Sequence, residues 1–202
     1  PTQWDGRPDV EPTNLQLEWR LSNPVAIDVG ADVVHEAHLP GTWPVSGAGI
    51  TIAVVDSGIY FGKNVRDTLG SRLNQRFIGQ ADFTRAGICL NGGVQYDTYC
   101  FVPRDQSTDV YGHGSHVAGV IWSEIVDYAT GASMGIAPGA SILSVHVLDD
   151  YGNGTYETVI RGIQYVVANK DVYNIRVMNL SLSAEVKTPY FVDPLNRAVE
   201  AA

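Results

Sequence analysis

The sequence predicts an α/β protein built as a three-layer, mostly parallel, doubly wound sheet. Three short segments rich in Val and Ile lack the alternation of a half-exposed strand: 49–55, 140–148 and 175–180. Such runs are typical of strands buried on both faces of a parallel sheet. Segments of helical character follow each of them, and a repeated strand–helix order gives a parallel sheet covered by helices on both faces.

Local signals place the helices. Residues 116–127 carry apolar side chains on one side, which predicts the first helix. The second helix begins after Thr155, a good N-cap, and its apolar stripe comprises Val159, Ile160, Ile163, Val166 and Val167. Asp193 and Pro194 form the N-cap and first position of the third helix. The stretch from about residue 60 to residue 111 predicts loops.

The N-terminal part of the chain differs in composition from the rest. Residues 1–30 contain four prolines and little periodicity, which predicts an extended arm or the remnant of a propeptide. Residues 31–202 then form the α/β domain, beginning with a short helix over 31–38. A chain of 202 residues suits one domain with such an arm.

Charge and hydropathy exclude two classes of partner. The formal net charge is −9, with 13 basic and 22 acidic residues. Nucleic-acid binding needs clustered Lys and Arg, so we expect no nucleic-acid partner. No apolar run approaches the roughly 18 residues of a transmembrane helix, so we expect no membrane partner.

Cys89 and Cys100 are the only cysteines. They predict a disulfide that closes a surface loop in an oxidising compartment, and therefore an extracellular protein. The alternative is a pair of free thiols in a cytosolic protein. No histidine or third cysteine lies near enough in the sequence to complete a zinc site.

Polar clusters follow the predicted strands, where sites form in open α/β sheets. They are Asp56–Gly58, Gly152–Gly154 and Asn179–Ser183. His113 lies between two glycines at a helix start. An aspartate that orients an imidazole toward a hydroxyl is the arrangement that nucleophilic catalysis requires. A zinc pair of His113 and His116, hence a metallohydrolase, is the alternative, although His116 is expected to be packed within the helix.

Five segments occur together in an order that resembles the subtilisin-like serine proteases (subtilases, peptidase S8). They read VVDSGI at 54–59, GHGSHVAG at 112–119, GIAPGA at 135–140, VL…GNG over 147–154 and MNLSL at 178–182. The resemblance covers about residues 31–202. It implies that Asp56 is the orienting carboxylate and His113 the general base of an Asp-His-Ser triad. Ser115 stands where threonine is more usual.

The same resemblance implies polypeptide substrates and a set of residues that bind them. Asp109 would stand at the substrate cleft. A peptide would lie as an added β-strand along two edges. Those edges comprise Leu148, Gly152, Gly154, Ser181, Leu182 and Ser183. Ser183 replaces a glycine common in the family, which would narrow the cleft.

The nucleophilic serine of the family has no match at the expected place. Ser133, within GASMG, has similar neighbours but stands in a connecting loop. We therefore expect residues 31–202 to be the N-terminal two thirds of a catalytic domain, truncated before the serine motif and inactive alone. The C-terminal remainder of the same protease would supply the serine and the oxyanion asparagine. The alternative is a catalytically inactive subtilase-like binding or structural module.

No cofactor is expected for catalysis, and no metal site is assigned. The resemblance implies structural calcium as an option. Acidic candidates are Asp105, Asp109, Asp149 and Asp150, but their spacing does not compel a site.

Overall fold

The computed structural model describes residues 45–62, 76–85, 89, 93–123, 135–185 and 188–202. The strands are Thr51–Asp56 (β1), Phe77–Asp82 (β2), Val94–Gln95 (β3), Cys100–Val102 (β4), Ser141–His146 (β5) and Ile175–Asn179 (β6). The helices are His113–Trp122 (α1), Tyr156–Ala168 (α2) and Pro194–Glu200 (α3), with a 3₁₀ turn at Arg104–Gln106. The predicted arm, the helix over 31–38 and Ser133 lie outside these residues.

The chain divides into two compact units. One comprises residues 1–46 and 120–138, and the other comprises residues 47–119 and 139–202. Within the first, the Ala137 backbone N–H donates to the Ile121 carbonyl at 2.7 Å. The second contains the sheet, helices α2 and α3, and the first residues of α1. Among the described helices, none combines the length and apolar character needed to cross a bilayer.

The sheet has the strand order β3-β4-β2-β5-β1-β6. The four longer strands β2, β5, β1 and β6 run parallel, whereas β3 and β4 form an antiparallel hairpin beside β2. The prediction of a mostly parallel α/β sheet is therefore confirmed. The prediction of loops from about residue 60 to residue 111 was wrong for β2, β3 and β4. In β2, Gly79, Gln80 and Asp82 interrupt the kind of apolar run by which β1, β5 and β6 were predicted.

Three polar residues lie at the same level near the carboxyl ends of neighbouring strands. Asp56 of β1 is the register partner of His146 of β5, and His146 is the partner of Asp82 of β2. Register partners in adjacent strands point to the same face of a sheet. All three residues are at most 7% exposed, so this face carries a buried polar row.

The opposite face packs on α2. Buried side chains of β1 and β5 contact the apolar side of the helix in one cluster: Ala53, Val55, Leu143, Val145, Val159, Ile163 and Val166. Gly162 permits the close approach of α2 to the sheet, because a Cβ at this position would lie 2.6 Å from Cγ1 of Val147. The predicted N-cap is confirmed, since the Thr155 side chain accepts a hydrogen bond from Thr158 N–H.

Two predictions of burial were wrong. Residues 175–180 were expected to form a strand buried on both faces, but β6 ends the described strand order and Val177 is 47% exposed. His116 was expected to be packed within the first helix, yet it is exposed. Helix α1 begins at His113, which was expected to lie at a helix start, although the apolar pattern predicted the helix only from residue 116. Its first turn therefore carries both His113 and His116.

Candidate active site

Asp56 and His113 form a hydrogen-bonded pair. Asp56 ends β1, which lies between β5 and β6 in the sheet, and its side chain is fully buried. His113 is the first residue of α1, with 40% of its side chain exposed. Its Nδ1 lies 2.8 Å from Oδ1 and 2.9 Å from Oδ2 of Asp56. With Nδ1 held by a carboxylate, Nε2 is the ring nitrogen left to exchange a proton with another group.

The turn after Asp56 brings the two residues together. Ser57 N–H donates to Asp56 Oδ1 at 2.7 Å, and Ser57 Oγ accepts from Gly114 N–H at 3.0 Å. Two glycines make this approach sterically feasible. A Cβ on Gly58, whose φ is +101°, would lie 2.3 Å from the Thr108 carbonyl oxygen, and one on Gly114 would lie 2.1 Å from the Gly58 carbonyl oxygen.

Asp109 stabilises the start of α1. Its Oδ1 accepts hydrogen bonds from Ser57 Oγ at 2.9 Å and Gly112 N–H at 2.8 Å. Its Oδ2 accepts from the N–H and Oγ of Ser115 at 2.8 and 2.7 Å. The carboxylate thus links the Asp56 turn to the helix that carries His113. A carboxylate at a helix N-terminus is also favoured by the helix dipole.

A cavity of about 450 Å³ opens beside His113. It is bounded by the loop after β5, the start of α2 and the segment after β6. The structure brings six residues of the predicted peptide-binding edges into its lining, together with His113: Leu148, Gly152, Gly154, Ser181, Leu182 and Ser183. Asp109 is not among the described residues that line it.

Further lining residues were not identified from the sequence. Tyr111, Tyr156, Val159 and Leu195 add aromatic and apolar surface. The Tyr156 hydroxyl donates to Asp193 Oδ2 at 2.9 Å, and this hydrogen bond, with burial, raises the pKa of Tyr156. Val159 belongs to the apolar stripe by which α2 was predicted. No sequence pattern indicated Leu195, because α3 is brought to the cavity by its packing on α2.

Two of the acidic residues considered for calcium, Asp109 and Asp149, already accept hydrogen bonds within the protein. Asp109 already accepts four hydrogen bonds. Oδ1 of Asp149 accepts from the N–H groups of Tyr151 and Asn153, both at 2.9 Å, which closes the loop beside the cavity. In the described part of the chain, no three His, Cys, Asp or Glu side chains are grouped so as to hold a metal ion.

Cys89 and Cys100 are joined by a disulfide, with their Cα atoms 5.4 Å apart. Cys100 begins β4, so the bridge ties the preceding segment to the sheet. Tyr96 and Tyr99 stack beside it with centroids 4.6 Å apart, and Tyr99 also packs on Phe83.

Comparison with known proteins agrees with this fold and site. The chain is 29% identical to Subtilisin-like protease 3 of Pseudogymnoascus destructans, over 96% of this chain and 40% of that protein. It is 32% identical to the major intracellular serine protease of Bacillus subtilis, over 80% of this chain and 43% of that protein. The crystal structure of a cold-adapted subtilisin-like serine proteinase superposes with a TM-score of 0.50 at 25% identity, covering 85% of this chain and 50% of that one.

The parallel sheet with a buried aspartate and a helix-borne histidine defines the class of α/β proteins built like subtilisin. The profile of the subtilase family (Peptidase_S8) matches residues 47–201, and the chain belongs to that family. It spans about 40% of the length of the curated relatives that it matches.

Proposed function

We propose that the protein is a serine endopeptidase that hydrolyses peptide bonds through an Asp-His-Ser triad. Asp56 and His113 are two members of the triad, and polypeptide outside these 202 residues supplies the serine and the oxyanion asparagine. One observation carries the proposal: the hydrogen bond between a fully buried carboxylate and a half-exposed imidazole beside a cavity. The names of the relatives, which include a serine protease and several subtilisins, support it.

The geometry suits a defined sequence of proton transfers. Asp56 holds Nδ1–H of His113, which leaves a lone pair on Nε2. As the serine oxygen attacks the peptide carbonyl carbon, Nε2 takes its proton, and Asp56 stabilises the imidazolium that forms. The same proton then passes to the amine leaving group. Water repeats the steps to release the acyl group and restore the serine.

The substrate lies along the cavity as an extended strand. The segments 148–154 and 181–183 line two of its sides, and Leu148, Leu182 and Leu195 supply apolar contacts for side chains. Recognition by main-chain hydrogen bonds accommodates many sequences, while pockets choose among side chains. Ser183 narrows this groove relative to a glycine.

We place the protein outside the cell. The Cys89–Cys100 disulfide supports an oxidising compartment. The relatives include both a minor extracellular protease and a major intracellular serine protease of Bacillus subtilis. Family membership alone therefore does not decide between a location inside and outside the cell.

The test uses the full-length protein that contains this chain. It should cleave peptide substrates, be inactivated by a covalent serine-directed reagent and lose at least about 10³-fold in kcat on His113→Ala. A His116→Ala variant is the matched control and should retain activity. Retained turnover in the His113 variant would refute the role of His113. Inactivation by a chelator would instead favour a metallohydrolase, and a folded protein without turnover would favour a binding module.

A further inference from the structure

Gln80 is buried beneath the turn that follows Asp56. It lies on β2 and is 1% exposed. Its Oε1 accepts a hydrogen bond from Ile59 N–H at 3.0 Å and another from Ser144 Oγ at 3.0 Å. An N–H donor requires an oxygen in return, so the contact with Ile59 fixes which end of the amide faces the turn.

The other end of the amide reaches the buried polar row. Nε2 of Gln80 lies 3.4 Å from Nδ1 of His146, which itself lies 3.3 Å from Oδ2 of Asp82. Thr84 donates to Asp82 through its N–H at 2.8 Å and its Oγ1 at 2.7 Å. Gln80 is therefore seated between the turn on one side and a connected set of buried polar groups on the other.

The Ile59 peptide is held from two directions. Gln80 accepts from its N–H, and Ser107 Oγ donates to its carbonyl oxygen. Ile59 stands three residues after Asp56, and the intervening Gly58 has the positive φ of +101° that turns the chain. Because Ser57 bonds both Asp56 and Gly114, a shift of Ile59 moves the contact between the aspartate turn and the start of α1.

We propose that Gln80 is a positioning residue for the Asp56–His113 pair, acting through its hydrogen bond to Ile59 N–H in the turn after Asp56. Gln80 touches neither the substrate cavity nor His113. It keeps the buried carboxylate at the angle that lets both of its oxygens approach Nδ1. Catalytic efficiency depends steeply on such placement, because a displacement of about 1 Å costs up to about 10²-fold in rate.

The inference rests on the proposed protease function, and the test separates the two. The full-length protein is compared with its Gln80→Met variant, which keeps the side-chain length but removes the acceptor. The matched control is Ser144→Ala, which removes the other donor to the same oxygen and leaves the Ile59 contact in place. We expect Gln80→Met to lower kcat about tenfold with KM nearly unchanged, and Ser144→Ala to change kcat less than about twofold.

A second readout does not depend on turnover. The His113 Nδ1 proton, held by Asp56, should give a low-field NMR signal in protein labelled with ¹⁵N-histidine, and its loss in His113→Gln would assign it. Gln80→Met should shift or broaden this signal, whereas Ser144→Ala should leave it in place. If the full-length protein has no peptidase activity, the protease proposal fails, and the signal still decides the role of Gln80.

Two results overturn the inference: an unchanged His113 signal in Gln80→Met, or equal kcat values in Gln80→Met and Ser144→Ala. If Gln80→Met does not fold, Gln80→Asn takes its place. Asparagine keeps a buried amide but is one methylene too short to reach Ile59 N–H. The same criteria then apply to its kcat and to its His113 signal.

Discussion

Nδ1 of His113 lies within 2.9 Å of both carboxylate oxygens of Asp56, although the residues stand 57 positions apart in the chain. The carboxylate is fully buried at the end of β1, between β5 and β6, and the imidazole is 40% exposed at a helix start. The sheet thus supplies a fixed carboxylate, and the helix presents the ring at the edge of a cavity.

Changing Asp56 to Asn should lower kcat of the full-length protein about 10⁴-fold with little change in KM. The amide keeps the shape of the carboxylate but offers one acceptor and no charge to stabilise imidazolium. Steady-state kinetics on a chromogenic peptide checks this. Asp97→Asn, at an exposed position between β3 and β4, is the control and should behave as wild type. Equal kcat values for the two variants would contradict the role of Asp56.

Changing Gly58 to Ala should destabilise the protein more than changing Gly112 to Ala. Both glycines have positive φ, +101° and +91°, so both variants incur about 1–2 kcal/mol of backbone strain. A Cβ on Gly58 also meets the Thr108 carbonyl oxygen at 2.3 Å, whereas one on Gly112 meets nothing within 4 Å. The clash should add about 1–3 kcal/mol. Urea unfolding measures the free energy of unfolding of both variants. Equal losses of that free energy would show that the turn after Asp56 relaxes freely.

Removing the disulfide should lower the free energy of unfolding by about 2–4 kcal/mol. Cys89 and Cys100 are 11 positions apart, so the bridge closes a short loop onto β4. The variant is the double change Cys89→Ser and Cys100→Ser. A reductant should lower the melting temperature of the wild type but not that of this variant. A wild-type melting temperature that does not respond to reductant would show that the bridge contributes nothing.

Asp82 should make stability depend on pH in the acidic range. Burial raises the pKa of Asp82, but the hydrogen bond and charge of His146, with the two hydrogen bonds from Thr84, outweigh burial and hold it below its ordinary value. The unfolded state therefore binds a proton first as pH falls, so this contribution is present above about pH 4 and is lost below it.

Asp82→Asn should flatten this part of the stability–pH curve, measured by urea unfolding between about pH 2.5 and 6. Thr84→Val is the comparison, because it removes one hydrogen bond and should flatten the curve only in part. A curve for Asp82→Asn that parallels the wild type would show that other carboxyls are responsible.

Short-range patterns were enough for part of the fold and of the site. The buried strands could be predicted from unbroken apolar runs, and helix α2 could be predicted from its apolar stripe and its N-cap. Asp56 and His113 could be proposed as site residues because each lies in a compact motif at the end of a strand or the start of a helix. Strand β2 could not be predicted from such patterns, because its polar residues Gln80 and Asp82 are buried beside His146 of the adjoining strand β5.

The sequence by itself determined the parallel α/β class, the caps of α2 and α3 and the choice of Asp56 and His113 as candidate site residues, since these depend on neighbours a few residues away. Only the tertiary structure decided that Gln80 lies under the Asp56 turn, that Asp109 ties this turn to α1 and that Leu195 reaches the cavity wall. Each of these contacts either joins segments at least 21 positions apart in the chain or depends on the packing of one helix on another. They are fixed by sheet register and by the close approach of backbones rather than by local preference.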